Sequence, residues 1–147
     1  MIFLRNFTID DADVYQKIYG GDMALDEIKA MFLNWKTKEY AGKYFEMFAV
    51  IKDEEIVGSI SLYQHSESVI SCGPTIFEPY RRQGIGKDAM LLAMDIAKSK
   101  GYKAVLQQVR IDNMASIELH NKLAFETNRY IYKNKKGNEV LIYIKLL

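Results

Sequence analysis

From Val69 to Arg110 the chain reads strand, loop, helix, strand: VISCGPTIF, the loop around RRQGIG, an amphipathic stretch from about Gly86 to Lys100, then YKAVLQQVR. A helical connection between two strands of one sheet returns the second parallel to the first, by a right-handed crossover. Nothing else in the sequence restricts the topology as strongly, because the preceding segments pair antiparallel. YFEMFAVIK and IVGSISLYQH flank the turn Asp53-Glu54-Glu55, and Ser66-Glu67-Ser68 leads into VISCGPTIF.

The remaining segments build around this unit. Ile2 to Phe7 predicts a first strand, and Thr8 with Asp11 has the capping-box spacing that opens a helix ending at Gly20-Gly21. Ile28, Met31, Phe32 and Trp35 make the apolar stripe of a second helix. Met90, Met94 and Ala97 share a face of the third, which stops at Gly101. Asp112 or Asn113 caps a helix through Leu123, and RYIYK and EVLIYIKLL bracket NKKGN as a last hairpin. The order β-α-α-β-β-β-α-β-α-β-β predicts an α/β (α+β) fold. Its mixed, mostly antiparallel central sheet has six to seven strands with helices on both faces. With 147 residues, no repeat or linker and only Pro74 and Pro79 as prolines, residues 1–147 are expected to form one domain.

Twenty basic residues against 19 acidic leave a net charge of +1, so no broad field draws this chain to nucleic acid or a membrane, and any anion site is local. The longest apolar run, Ala89 to Met94, is too short to span a bilayer. Cys72 is alone, which rules out an internal disulfide and a cysteine-built metal site and fits a cytoplasmic location.

Gly84-Ile85-Gly86-Lys87-Asp88-Ala89 satisfies the dinucleotide fingerprint as a string, but YKAVLQQVR ends without the acid that would bind a ribose, and the motif comes late in the chain. A P-loop fails too, with Asp88 after Lys87 in place of the required Ser or Thr. What remains is an anion site: glycines that admit a ligand to the backbone, a helix N-terminus, and Arg81, Arg82 and Lys87 around it. The plainer alternative is a tight strand-to-helix turn with solvated arginines.

Arg81-Arg82-Gln83-Gly84-Ile85-Gly86 resembles the Q/R-x-x-G-x-G/A motif of the GNAT superfamily of acetyl-CoA-dependent N-acyltransferases. Asn113, Ser116, Leu119, His120, Lys122, Ala124 and Phe125 resemble that family's second, Asn-led helical pattern, with Ala124 in place of the common glycine. The resemblance covers essentially the whole chain and implies a GNAT-like sheet that moves an acetyl group from acetyl-CoA to a primary amine by direct attack in a ternary complex. It implies that the backbone from Arg82 to Lys87 holds the pyrophosphate and that Arg81 and Arg82 reach outer phosphates. The pantetheine then meets backbone near Ile76 and Phe77, Asn113 and Ser116 form the other wall, and a backbone N–H near Phe77 serves the oxyanion.

In the family the proton donor to the departing thiolate is a tyrosine, and its position here is His120. Asn113, Ser116 and His120 share a helical face, so His120 is expected to point with the coenzyme contacts. The alternative is a packing histidine, with another group or water as donor. No enzyme nucleophile is needed, so Cys72 is expected in the core. No general base emerges; Glu67, Glu78 and His65 lie at strand ends that could border the acceptor. Lys133, Lys135 and Lys136 read as a solvated hairpin tip, and Trp35 as core. A non-catalytic coenzyme-A-binding sensor is the rival reading, an ATP or NAD binder a weaker one. The partners expected are an amine acceptor, small molecule or peptide, with room for a homodimer at the last hairpin, and no metal.

Overall fold

The computed structural model describes residues 1–147. In chain order its elements are β1 (Ile2–Asn6), α1 (Ala12–Ile18), α2 (Leu25–Trp35), β2 (Glu39–Tyr40), β3 (Lys43–Lys52), β4 (Glu55–Gln64), β5 (Val69–Ile76), α3 (Ile85–Ser99), β6 (Ala104–Arg110), α4 (Met114–Lys122), β7 (Tyr132–Lys133) and β8 (Glu139–Leu146). The strands form one sheet in the order β1-β3-β4-β5-β6-β8-β7, with β2 beside β3. Only β5 and β6 are parallel, as the helical crossover between them requires.

The sheet has eight strands, one more than the sequence predicts. The addition is β2, a two-residue strand that turns into β3 through Ala41 and Gly42, both at positive φ (51° and 79°). β7 is shorter than RYIYK suggests, keeping only Tyr132 and Lys133.

Alternation along β3 divides the core. Phe48 and Val50 face the cluster under α3, with Leu62, Ile70, Met90, Met94 and Tyr143. Ala49 and Ile51 face the second cluster, where Phe7, Tyr15, Ile28, Phe32 and Phe77 pack under α1 and α2. Alanines at 89, 93 and 97 let α3 lie close to the sheet. The helix entry after β1 is fixed by charge: Asp11 accepts from the Thr8 N–H at 2.8 Å and from both Arg5 guanidinium nitrogens at 2.8 and 2.9 Å.

β5 positions the site. It pairs with β4 along its whole length, from Gln64↔Ile70 to Gly58↔Ile76. With β6 it pairs only through Val69↔Ala104 and Ile70↔Val105. Beyond Ile70 the two strands separate, and one edge of β5 opens. Gly58 keeps β4 close to that opened half, since a Cβ there would stand 2.4 Å from the Thr75 carbonyl oxygen.

Candidate active site

A groove of about 830 Å³ occupies the opening. Pro74, Thr75 and Ile76 form one wall, Asn113, Ser116 and Leu119 of α4 the other, and Arg81, Arg82, Gly84 to Lys87 and Lys122 its mouth. Gly84 is the N-cap of α3 at φ 75°, and no side chain caps the helix. The first internal bond runs from the Asp88 N–H to the Gly84 carbonyl at 3.2 Å, so the N–H groups of Ile85, Gly86 and Lys87 have no partner within the helix. They present the positive end of a 15-residue helix dipole to the groove, an arrangement suited to an anion. Four cations against Glu118 give the mouth its positive excess.

The open edge of β5 follows from strand alternation. Odd residues turn their backbone to β4, as the Phe77 N–H does toward the Val57 carbonyl at 2.9 Å. Even residues turn theirs to the opening. At Cys72 both groups are taken by one side chain: the Cys72 N–H donates to Gln107 Oε1 at 2.9 Å, and Gln107 Nε2 donates to the Cys72 carbonyl at 2.6 Å. Pro74 has no N–H to offer. The Ile76 carbonyl accepts from Arg81 Nε at 2.8 Å. The Ile76 N–H and the Pro74 carbonyl are what this edge presents to a ligand.

Phe77 therefore does not stand where it was expected. Its N–H serves Val57, its carbonyl accepts from the Tyr80 N–H at 2.9 Å, and its ring is buried against Tyr19 at 5.0 Å. A single step along a strand reverses the direction of the backbone groups, so the amide donor on this edge is Ile76. Gln83 also leaves the groove, its Oε1 accepting from Lys52 Nζ at 3.1 Å.

His120 is the largest departure. It is 3% exposed and lies behind the groove wall, 4.9 Å from the Phe125 ring and 5.4 Å from the Tyr143 ring. Its Nδ1 is 2.7 Å from the Ser116 carbonyl, and its Nε2 is 3.4 Å from Gln107 Nε2. Because Cys72 fixes which end of the Gln107 amide is nitrogen, His120 Nε2 must accept, and the ring proton sits on Nδ1. Burial lowers the His120 pKa, against a smaller raising effect of the Ser116 carbonyl. The ring is thus neutral at neutral pH, with its one N–H committed to the backbone. Helical spacing put His120 one turn beyond Ser116, but the inward side of that turn faces the sheet rather than the opening.

The groove brings together Ile76, Arg81, Arg82, Gly84, Ile85, Gly86, Lys87, Asn113 and Ser116. Asn113 caps α4 through Oδ1, which accepts from the Ser116 N–H at 3.1 Å, leaving Nδ2 free for the groove. Cys72 is buried in the α3 cluster, with burial raising its thiol to about 12. Gln107 was not foreseen; its partner is 35 residues away, and no local pattern marks the pairing. His65, with Nε2 2.5 Å from Ser71 Oγ, stands on the opposite face near the foot of β5. No group of three or more His, Cys, Asp or Glu side chains is placed to hold a metal, and no helix is long and apolar enough to cross a membrane.

The model of the acetyltransferase (GNAT) family matches residues 12–125. None of the curated proteins matches the chain in sequence. Among solved structures, RimJ from Mycobacterium smegmatis in complex with CoA-disulfide aligns at a TM-score of 0.84 and 16% identity, over 99% of this chain and 81% of that one. The acetyltransferase from Salmonella typhimurium that modifies the N-terminal serine of ribosomal protein L7/L12 aligns at 0.82 and 15%, over 99% and 95%. The microcin C7 self-immunity acetyltransferase MccE, in complex with acetyl-CoA and AMP, aligns at 0.83 and 15%, over 99% and 92%. At such identities these likenesses establish the fold.

Proposed function

The chain belongs to the acetyltransferase (GNAT) family, the acetyl-CoA-dependent N-acetyltransferases, and we propose that it binds acetyl-CoA in the groove between β5 and α4 and passes the acetyl group directly to a primary amine. The observation that carries this reading is the union, in one groove, of an uncapped α3 N-terminus and the open edge of β5. The N–H groups of Ile85, Gly86 and Lys87 hold the pyrophosphate, and Arg82 and Lys87 add charge around it. Arg81 ties the loop to the Ile76 carbonyl and so fixes loop against strand.

The pantetheine arm lies along β5, meeting the Ile76 N–H and the Pro74 carbonyl, with Asn113 Nδ2 and Ser116 Oγ opposite. From Ile76 to Cys72 the strand runs roughly 13 Å, and Gln107 closes the far end. The amine attacks the thioester carbonyl, the C–S bond breaks, the nitrogen loses a proton and the sulfur leaves as thiol. His120 is a positioning residue here. It holds the Ser116 carbonyl and the first turn of α4, and the proton for sulfur comes from water or the Ser116 hydroxyl. A cytoplasmic location is supported by the lone buried thiol. A homodimer is supported by the exposed Tyr130, Ile131 and Tyr132 at the β7 edge, and its sign would be a concentration-dependent sedimentation coefficient.

Calorimetric titration with acetyl-CoA, coenzyme A, ATP and NAD, alongside an Arg82→Ala variant and a thiol-release assay over a panel of amines, tests the reading. Selective binding of the two coenzyme A forms, weakened in the variant, with thiol released only when amine is present, is expected. Preference for ATP or NAD would overturn it, and coenzyme binding with no thiol release across the panel would favour the non-catalytic sensor.

A further inference from the structure

We propose that the cavity between the end of α2 and the β2–β3 hairpin binds an organic ammonium group, so that the acceptor carries a second cation besides the amine it presents for acetylation. The link to the acceptor rests on the acetyltransferase reading; the ammonium site itself does not.

The cavity holds about 440 Å³ and is lined by Asn34, Trp35, Glu39, Tyr40, Phe45 and Tyr63. Three of its rings stand at similar distances from one another: Tyr40 to Phe45 at 6.2 Å, Tyr40 to Tyr63 at 6.1 Å and Phe45 to Tyr63 at 6.4 Å. Their planes meet at 52°, 69° and 61°. Tyr63 meets both other rings edge to face and Tyr40 is tilted against Phe45, so the three rings border the cavity from different directions. A cation seated among them lies within about 6 Å of every ring, the range of cation–π attraction.

Glu39 is the only charged residue of the lining, and it is acidic. The lysines that flank the hairpin are engaged elsewhere: Lys38 Nζ stands 3.5 Å from Glu46, and Lys43 Nζ donates to the His65 carbonyl at 2.6 Å. The hairpin also holds two non-glycine residues in the left-handed region, Lys38 at φ 53° and Ala41 at φ 51°. Each costs roughly 1–2 kcal/mol. That strain sets Glu39 and Tyr40 over Phe45 and Tyr63, yet Tyr40 remains 62% exposed, so packing of the core does not account for it.

This box of rings lies within reach of the transfer point. Phe45 pairs with Tyr63, Tyr63 with Ser71, and Ser61 with Gly73, all on the face under α1 and α2. Ser71 is the first residue of β5 past its last pair with β6. Two strand spacings, roughly 10 Å, therefore separate the box from the open edge of β5. Gly73 places no side chain across that path. An alkyl chain with an ammonium at one end in the box would bring an amine at its other end to the thioester.

Trp35, the only tryptophan in the chain, lines the box and reports on it directly. Titration of the full chain with 1,6-diaminohexane, hexylamine and hexan-1-ol, followed by Trp35 fluorescence, is expected to show saturable binding of both amines, at least tenfold tighter than that of the uncharged alcohol. Glu39→Gln and Tyr40→Ala, both at exposed positions, should each weaken it about fivefold. No saturable diamine signal, or equal affinity for the diamine and the alcohol, overturns the ammonium site whether or not the protein acetylates anything. With acetyl-CoA present, kcat/KM should favour the diamine, and that ratio should fall toward one in both variants. Tight diamine binding without acetylation would leave the ammonium site standing and remove its link to an acceptor. Acetylation of both amines at equal kcat/KM would likewise remove that link while leaving the proposed function standing.

Discussion

The two halves of β5 differ in what holds them. At Val69 and Ile70 the strand is paired on both sides by main chain, and the Ile70 side chain enters a closed core. From Cys72 to Ile76 it is paired on one side only, yet few backbone groups on the open side are left without a partner. Gln107 satisfies both at Cys72, proline removes a donor at 74, and Arg81 covers the Ile76 carbonyl. A sheet can thus be opened in its middle at low cost when side chains replace the missing rungs. The half that lines the groove is the half whose ladder is written in side chains.

The largest test of that contrast is at Gly86, between Ile76 and Leu119. A Cβ added there would meet Ile76 Cγ1 at 3.7 Å and Leu119 Cδ2 at 3.9 Å, ordinary contacts, so the fold should accept a side chain while the groove does not. Gly86→Glu sets a carboxylate against the pyrophosphate site, a like-charge encounter of several kcal/mol. Calorimetry should show acetyl-CoA affinity falling by more than about 100-fold, with a near-wild-type thermal midpoint. Retained affinity would mean the ligand lies elsewhere.

Gln107→Leu attacks the substitute rung. It leaves the buried N–H and carbonyl of Cys72 unpaired, at about 1–3 kcal/mol each, so urea unfolding should report a loss of roughly 2–5 kcal/mol. A loss below about 1 kcal/mol would show that water replaces the carboxamide and that the opened half needs no such prop.

The same contrast marks what could be read in the sequence. Whatever depends on neighbours in the chain was legible: the turns, the helical stripes, the crossover between β5 and β6, the Asn113 cap, and the glycine turn that opens α3. Expectations failed where the answer lay across the sheet. Phe77 was placed one step out of register, although alternation along VISCGPTIF separates it from Ile76. His120 was proposed as donor from its place in the Asn-led pattern, with helical phase turning it toward the groove and a packing role as the alternative, but whether the inner side of α4 meets groove or sheet depends on where β6 and β8 run. Gln107 reads as one polar residue in a strand until Cys72 is brought beside it. β2, two residues long, carries no periodicity at all.

His120 sharpens this point through pH. Its pKa is lowered in the fold by burial, so the unfolded chain binds the proton more readily. Stability from this group is fully present above the unfolded value near 6.5 and is lost as pH falls below it, at no more than about 1.4 kcal/mol per pH unit. His65 is lowered by burial and by Lys43 and contributes in the same direction. The difference between wild type and His120→Gln in urea unfolding from pH 7.5 to 5 isolates His120. A flatter profile in the variant is expected; an unchanged slope would mean that His120 meets solvent and could yet face the groove.

The smallest effect separates two roles of one residue. Asn113 Oδ1 caps α4, and its Nδ2 faces the groove. Asn113→Ala removes both, costing about 1 kcal/mol of stability through the cap and a few-fold in acetyl-CoA affinity. Asn113→Asp keeps an oxygen for the Ser116 N–H, with a charge that suits the helix N-terminus, but loses the donor and sets a negative charge beside the coenzyme. It should unfold at or above the wild-type midpoint while binding acetyl-CoA more weakly than Asn113→Ala does. If instead the two variants lose binding in step with their stability, Asn113 acts on the groove only by holding α4 in place, and that wall, like the floor at Gln107, is positioned by hydrogen bonds that never touch the ligand.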